Sequence, residues 1–171
     1  FCFINKMDRT GASFERTLGM IVDRLKAKPA PVQLPIGAEA GFLGVVDLIE
    51  GHATIYHDDL GQNIEVVEIP ADMAEASAEA RRQLVELIAE TNEDMMERYL
   101  EDEEFSKDEL RAGLRAATLS GQLVPILCGS ALKNKGVQSM LDAIVDYLPS
   151  PNDVPPVVGI NPKTEEEVVR Y

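Results

Sequence analysis

Tryptophan is absent from the 171 residues, aromatic side chains make up only 5%, and there are just two cysteines. Cys2 and Cys128 each lie inside an apolar run, so they read as buried thiols of a reducing, cytoplasmic compartment rather than as a disulfide. His52 and His57 stand apart from them, which leaves no ligand set for a metal. Basic charge is scarce as well: 16 Lys and Arg face 30 Asp and Glu, for a net charge of −14. A protein that reads nucleic-acid sequence directly carries a basic stripe, so that class is excluded. Apolar runs are too short to cross a bilayer, and no membrane partner is expected. What remains is an ordinary globular composition, 45% apolar, with enough chain to bury a core. The acid is concentrated: residues 65–111 hold 16 acidic against 5 basic side chains, whereas residues 1–28 hold 6 basic against 3 acidic.

The chain opens on the apolar run Phe1-Cys2-Phe3-Ile4, directly followed by Asn5-Lys6-Met7-Asp8. Open α/β sheets place ligands where a buried strand ends in a polar loop at its carboxyl edge. Guanine presents two adjacent donors, N1–H and the 2-amino group, and one ionised carboxylate accepts both in fork geometry. Asp8 is the candidate for that contact. Adenine lacks the donor pair and would leave the carboxylate unpaired, a discrimination of roughly 1–3 kcal/mol by analogy with other bidentate base contacts. Lys6 can lay its stem over the base, Asn5 can tie neighbouring loops together, and Met7 reads as a spacer.

Further along, Phe14, Leu18, Ile21, Val22 and Leu25 form a helical stripe behind the N-cap candidate Ser13, and Pro29-Ala30-Pro31 closes that unit. Short extended runs at 32–36, 45–48, 53–57 and 64–69, separated by Glu50-Gly51 and by Asp58-Asp59-Leu60-Gly61, predict antiparallel hairpins. His52 and His57 read as surface residues of these strands. From 71 to 121 the period is helical. One helix is expected behind Pro70 with Asp72 and Glu75 as a capping pair, a short one after Asn92, and a third from the capping box Ser106-Lys107-Asp108-Glu109. Leu123 to Cys128 is a second buried strand, with Pro125 arguing for a sheet edge. Gly129-Ser130-Ala131-Leu132 and a helix through Leu148 follow, then a Pro-rich stretch to Pro156.

The fold class expected is therefore α/β. Residues 1–28 and 122–150 form two strand–loop–helix units of one parallel sheet, 29–121 is an inserted α+β subdomain, and 151–171 is a linker toward a next domain. Parallel pairing of the two strands puts both loops at one edge, bringing Asp8 toward Ser130 and Ala131.

The pairing of Asn5-Lys6-Met7-Asp8 with Ser130-Ala131-Leu132 resembles the fourth and fifth guanine-nucleotide motifs of translational GTPases. The insertion, Gly44-Val45-Val46-Asp47-Leu48, the segment from Gly129 to Gln138 and the ending Asp146-Tyr147-Leu148-Pro149-Ser150-Pro151 are similar to bacterial elongation factor G. The resemblance implies a partial P-loop GTPase sheet whose last two strand–helix units are present, and a GTP or GDP site of which only the guanine end is here. Asn5, Lys6 and Asp8 take the roles given above. Backbone N–H groups around Ala131 face guanine O6, Ser130 braces Asp8, and Leu132 makes stacking on its side apolar. It also implies the ribosome as partner, with the acidic insertion meeting the stalk protein, and a role in translocation.

No Gly-x-x-x-x-Gly-Lys-Ser/Thr segment occurs, so Mg²⁺ and phosphate chemistry belong to a longer parent protein, and the chain alone, with no catalytic residue of its own, is not expected to hydrolyse GTP. A start at Phe1 within a strand fits the same expectation of a fragment. Two other readings stand beside this one: an interaction module centred on the stalk-binding insertion, and a paralogue such as a tetracycline-resistance ribosome-protection protein or release factor three.

Overall fold

A computed structural model of the chain describes residues 1–151, 153, 156–164 and 166–170. The first strand, β1 (Cys2–Ile4), runs into the polar loop and then into α1 (Phe14–Leu25). Ser13 caps α1 as expected, its hydroxyl accepting the Arg16 N–H at 3.2 Å. The helix stops at Lys26, which adopts a left-handed φ of 55° and donates its N–H to the Val22 carbonyl.

Pro29–Pro31 does end the helix, yet it also forms a strand, β2. It pairs in parallel with β7 (Val124–Cys128), whose other flank pairs in parallel with β1, giving the order β1-β7-β2. The expectation that Pro125 marks a sheet edge is thus overturned. The donors of β7 alternate in direction: Val124 N–H reaches Lys28 O on the β2 side, and Gly129 N–H reaches Ile4 O on the β1 side. By that alternation the Pro125 nitrogen faces the β1 flank ahead of the first pair, Cys2 with Ile126. The β2 flank is held by donors other than Pro125, Val124 N–H among them, so the proline is tolerated in a strand with neighbours on both sides.

The remaining strands of the insertion are β3 (Gln33–Ile36), β4 (Gly44–Asp47), β5 (His52–Tyr56) and β6 (Ile64–Val67), an antiparallel meander in sequence order. Asp47 shapes the β4–β5 turn, its carboxylate accepting the Ile49 and Glu50 N–H groups at 2.9 and 2.8 Å. Gly44 is required by close approach, because a Cβ there would lie 2.0 Å from the Thr54 carbonyl oxygen on β5. Asp58 organises the β5–β6 turn by accepting N–H groups from Leu60, Gln62 and Asn63. His57 projects from that hairpin and meets Glu65 at 2.7 Å in the open.

Three helices follow: α2 (Ala74–Ala89), α3 (Glu93–Leu100) and α4 (Lys107–Leu119). Asn92 caps α3 through the Met95 N–H, and Ser106 with Glu109 forms a complete capping box on α4. The expected Asp72 and Glu75 pair does not cap α2, because a 3-10 turn at Ala71–Met73 leads into the helix and Met73 occupies the cap position without a side-chain bond. After β7 comes α5 (Val137–Tyr147). The segment expected as a linker instead carries a hairpin of β8 (Val157–Ile160) and β9 (Glu167–Arg170). Val158, Ile160, Val168 and Val169 supply β-branched residues on both strands, and Asn161 turns the chain, its side chain accepting the Lys163 N–H. Part of the Pro-rich stretch, at 152, 154 and 155, lies outside the described residues.

One buried cluster joins the two sheets. Leu84 and Ile88 of α2 and Leu110 and Leu114 of α4 pack with Val46 and Ala53 of the meander and with Leu127 of the parallel sheet. On the opposite side Phe14 and Ile21 of α1 pack with Ile4, Ile126 and Cys128. Leu114 is fully buried, and Leu114→Ala should cost about 2–5 kcal/mol. Because the cluster is shared, chemical denaturation of that variant followed by circular dichroism should remain one transition at lower midpoint. Two resolved transitions would show that the meander and the parallel sheet are stabilised separately.

Candidate functional site

Parallel pairing of β1 and β7 brings their outgoing loops side by side, and backbone bonds then stitch them. Met7 N–H donates to Gly129 O at 3.0 Å, beyond the Gly129 N–H bond to Ile4 O. Met7 is no passive spacer: only 2% exposed, its side chain sits in the cluster with Ile4, Phe14 and Phe42 and anchors the loop from beneath.

Above that anchor the polar side chains stand at the surface. Asn5 Oδ1 accepts the Lys6 N–H at 2.7 Å and, across 126 positions of sequence, the Ala131 N–H at 3.0 Å. It thereby ties the two loops together. Lys6 adopts φ 64°, a left-handed conformation that costs a residue bearing a Cβ about 1–2 kcal/mol. Its side chain is left in solvent. Such local strain, held by a side-chain hydrogen bond, is the kind found at ligand clamps.

Asp8 is partly exposed and makes no salt bridge among the described residues. The Ser130 hydroxyl beside it, its own backbone N–H and the nearby Lys133 and Arg9 hold its carboxyl below the usual carboxylate range against a smaller desolvation effect. Ser130 is 1% exposed, and its Oγ finds no partner within normal hydrogen-bond geometry, so the influence on Asp8 comes from proximity rather than a formed bond. A buried orphan hydroxyl next to an ionised carboxylate is an arrangement that a ligand's donors can complete. The chemistry of a guanine edge fits it, with two N–H groups for the carboxylate.

The second loop is tightly closed. Ser130 and Lys135 exchange N–H···O bonds at 2.9 and 3.0 Å around the 3-10 turn Ala131–Lys133. Glycine is obligatory at its base: Gly136 has φ 81°, and a Cβ there would lie 2.6 Å from Cys128 O. The Ala131 N–H, expected to face guanine O6, is instead engaged by Asn5 Oδ1. Leu132 is 78% exposed and offers an open apolar face. A depression of about 490 Å³ lies elsewhere, lined by residues such as Gln33, Asp47, Glu50, Arg111, Asp142 and Tyr147. None of the six candidate residues reaches it.

Several residues at the site have no signal in a linear reading. Glu39, left-handed at φ 53°, donates its N–H to Met7 O at 2.8 Å, and its carboxylate accepts the Gly11 N–H. Lys135 buries its ammonium within 3.4 Å of Phe42 O and near Asp59. Both link the loops to the insertion. The glycines flanking Glu39, at 37 and 41, are the one hint of a special turn there.

The likeness to known proteins runs through this same region. Residues 1–150 match the model of the elongation factor Tu GTP binding domain. A crystal structure of a protein from Thermus thermophilus superimposes with a TM-score of 0.77 at 26% identity over 98% of this chain. The chain spans 26% of the length of that protein. With the family's model covering both loops, both strands and everything between them, the chain belongs to the elongation factor Tu GTP-binding domain family.

Proposed function

We propose that the chain is the base-recognition part of the GTP site of a translation factor of the elongation factor G type, a cytoplasmic protein that acts on the ribosome in translocation. Residues 1–28 and 122–150 then supply the C-terminal part of the GTP-binding domain and 29–121 an inserted subdomain, of which β2 extends the parallel sheet. The observation that carries the reading is the bond from Ala131 N–H to Asn5 Oδ1, which seats the Ser130 loop beside the Asp8 carboxylate. In this assignment Asp8 accepts guanine N1–H and the 2-amino group. Ala131 and its neighbours donate to O6, Ser130 supports Asp8, and Lys6 and Leu132 flank the base. Phosphate and Mg²⁺ chemistry, which needs a phosphate-cradling loop, is assigned to the remainder of a longer protein.

The insertion offers its acidic helices α2 to α4 to a basic partner face, for which the ribosomal stalk protein is the candidate. Most of its surface ion pairs, such as Arg82 with Glu79 at 2.7 Å, are exposed and contribute little to stability. That leaves the surplus acid available for steering. Titrating the stalk protein's C-terminal domain against the whole chain should show binding that weakens as salt rises. Absence of binding at low salt would remove the insertion from that role.

Asp8→Asn tests the base assignment. In the full-length protein it should shift preference from GTP toward XTP, because the amide can donate to the 2-oxo group of xanthine where the carboxylate only accepts. The discrimination lost is on the order of 1–3 kcal/mol, read as competitive binding. A variant that still preferred GTP would refute the role of Asp8. The sign of the pH dependence follows from the lowered carboxyl: the binding-competent ionised form persists until pH falls through that depressed value. The Asp8 contribution, read as the ratio of GDP affinities of the wild type and Asp8→Asn so that the terminal phosphate's own titration near pH 6 cancels, should therefore be level between about pH 8 and pH 5. A titration midpoint inside that window would assign recognition to a different group.

A further inference from the structure

The turn between β5 and β6, residues 58–63, leaves its own sheet and lies against the Ser130–Lys135 loop. Three contacts define the meeting. Asp59 Oδ1 is 3.0 Å from the Lys133 ammonium and 3.9 Å from that of Lys135. Gly61, left-handed at φ 60°, abuts the loop backbone so closely that a Cβ would sit 2.3 Å from Asn134 O. Asn134 is itself left-handed, at φ 53°.

The Lys133 pair alone is exposed on the Asp59 side and would be worth little. Lys135 changes the balance. Its side chain is only 7% exposed, and its ammonium has the Phe42 carbonyl at 3.4 Å and the Asp59 carboxylate as its polar neighbours among the described residues. Asp59 is the one carboxylate within 4 Å of that buried ammonium among the described residues, and it ties the hairpin tip to the loop from the solvent side. Lys135 in turn closes the loop through its two backbone bonds with Ser130. Loop position is thereby coupled from the hairpin tip, through the Ser130–Lys135 backbone bonds, to the adjoining Ala131 N–H, whereas Asp8 sits on the other loop, anchored from beneath by Met7.

We propose that the β5–β6 turn is a brace for the guanine-reading loop, with Asp59 and Gly61 as positioning residues that set the O6-facing donors without touching the nucleotide. The proposal rests on the base-recognition reading above. It gives the insertion a direct mechanical link to nucleotide selectivity: whatever displaces the hairpin tip loosens the contact to O6 while leaving the Asp8 contact in place.

The test is a cycle of protein variants against ligand analogues in the full-length protein, with GDP, 6-thio-GDP, IDP and ADP as competitors of a fluorescent GDP. Replacing O6 by sulfur weakens the contact the brace controls, whereas IDP lacks only the 2-amino group that Asp8 reads. Asp59→Ala and Gly61→Ala should weaken GDP binding roughly three- to tenfold and shrink the GDP to 6-thio-GDP ratio, with the GDP to IDP ratio unchanged. Asp59→Glu should restore both GDP affinity and the 6-thio ratio. Circular dichroism and thermal melts confirm that the variants are folded. If Asp59→Ala and Gly61→Ala leave the 6-thio ratio at its wild-type value, or weaken every analogue equally, the brace is refuted while base recognition stands. If the wild type fails to prefer GDP to ADP, the base-recognition reading itself falls and takes the brace with it.

Discussion

The parallel pairing of β1 with β7 is the constraint on which the rest depends. Its register, Cys2 with Ile126 through Ile4 with Cys128, ends both strands at the same edge. The two polar loops then leave side by side although 126 positions separate Asn5 from Ala131. Parallel strands need a long crossover, and here the crossover is the entire stretch from α1 to α4. That stretch does not hang from the sheet as a separate body. Its helices share a buried cluster with Leu127 of β7, and its loops return to the site at Glu39 and at Asp59.

The division between rigid support and unsatisfied chemistry follows from burial. Beneath the loops lie Met7, Ile4 and Phe42, which make the base of the site stiff. At its surface the Asp8 carboxylate lacks a salt bridge among the described residues, Ser130 Oγ is orphaned, and Lys6 is held in a strained conformation. Ser77 Oγ and Gln138 Oε1 are also without partners, but of these buried orphans among the described residues only Ser130 stands beside Asp8. Three unusual features thus coincide at the paired loops: an unpaired carboxylate, a buried orphan hydroxyl beside it and a strained backbone. Depressions of about 490 and 520 Å³ among the described residues do not include these side chains, so the site is defined by its polar groups rather than by a cavity.

Local features were legible in the sequence because they depend on neighbours a few positions apart. Ser13, Asn92 and the Ser106–Glu109 box all cap the helices their spacing predicts. The meander was legible through its alternating runs and turn residues. Other features were not, and several of them depend on distant partners. Pro29-Ala30-Pro31 has the composition of a breaker, and only the presence of β7 makes it a strand. Pro125 suggested an edge, but β7 has β1 on one flank and β2 on the other, and the β2 flank takes its donors from other residues. The bracing contacts at Glu39, Asp59 and Lys135 join segments that no periodicity connects. Asp72 failed as a cap for a local reason, since a 3-10 turn competed for the same backbone groups.

The account makes the Asn5–Asp8 and Ser130–Leu132 loops the two walls that choose the base, with selectivity arising from donor and acceptor matching rather than from an enclosed pocket. The most direct measurement is a crystal structure of the full-length protein with GDP. The account predicts both Asp8 carboxylate oxygens within about 2.7–3.2 Å of guanine N1 and the 2-amino nitrogen, with a backbone N–H at Ala131 or its neighbour released to O6. A guanine base seated elsewhere, with the Asp8 carboxylate still in solvent, would contradict it.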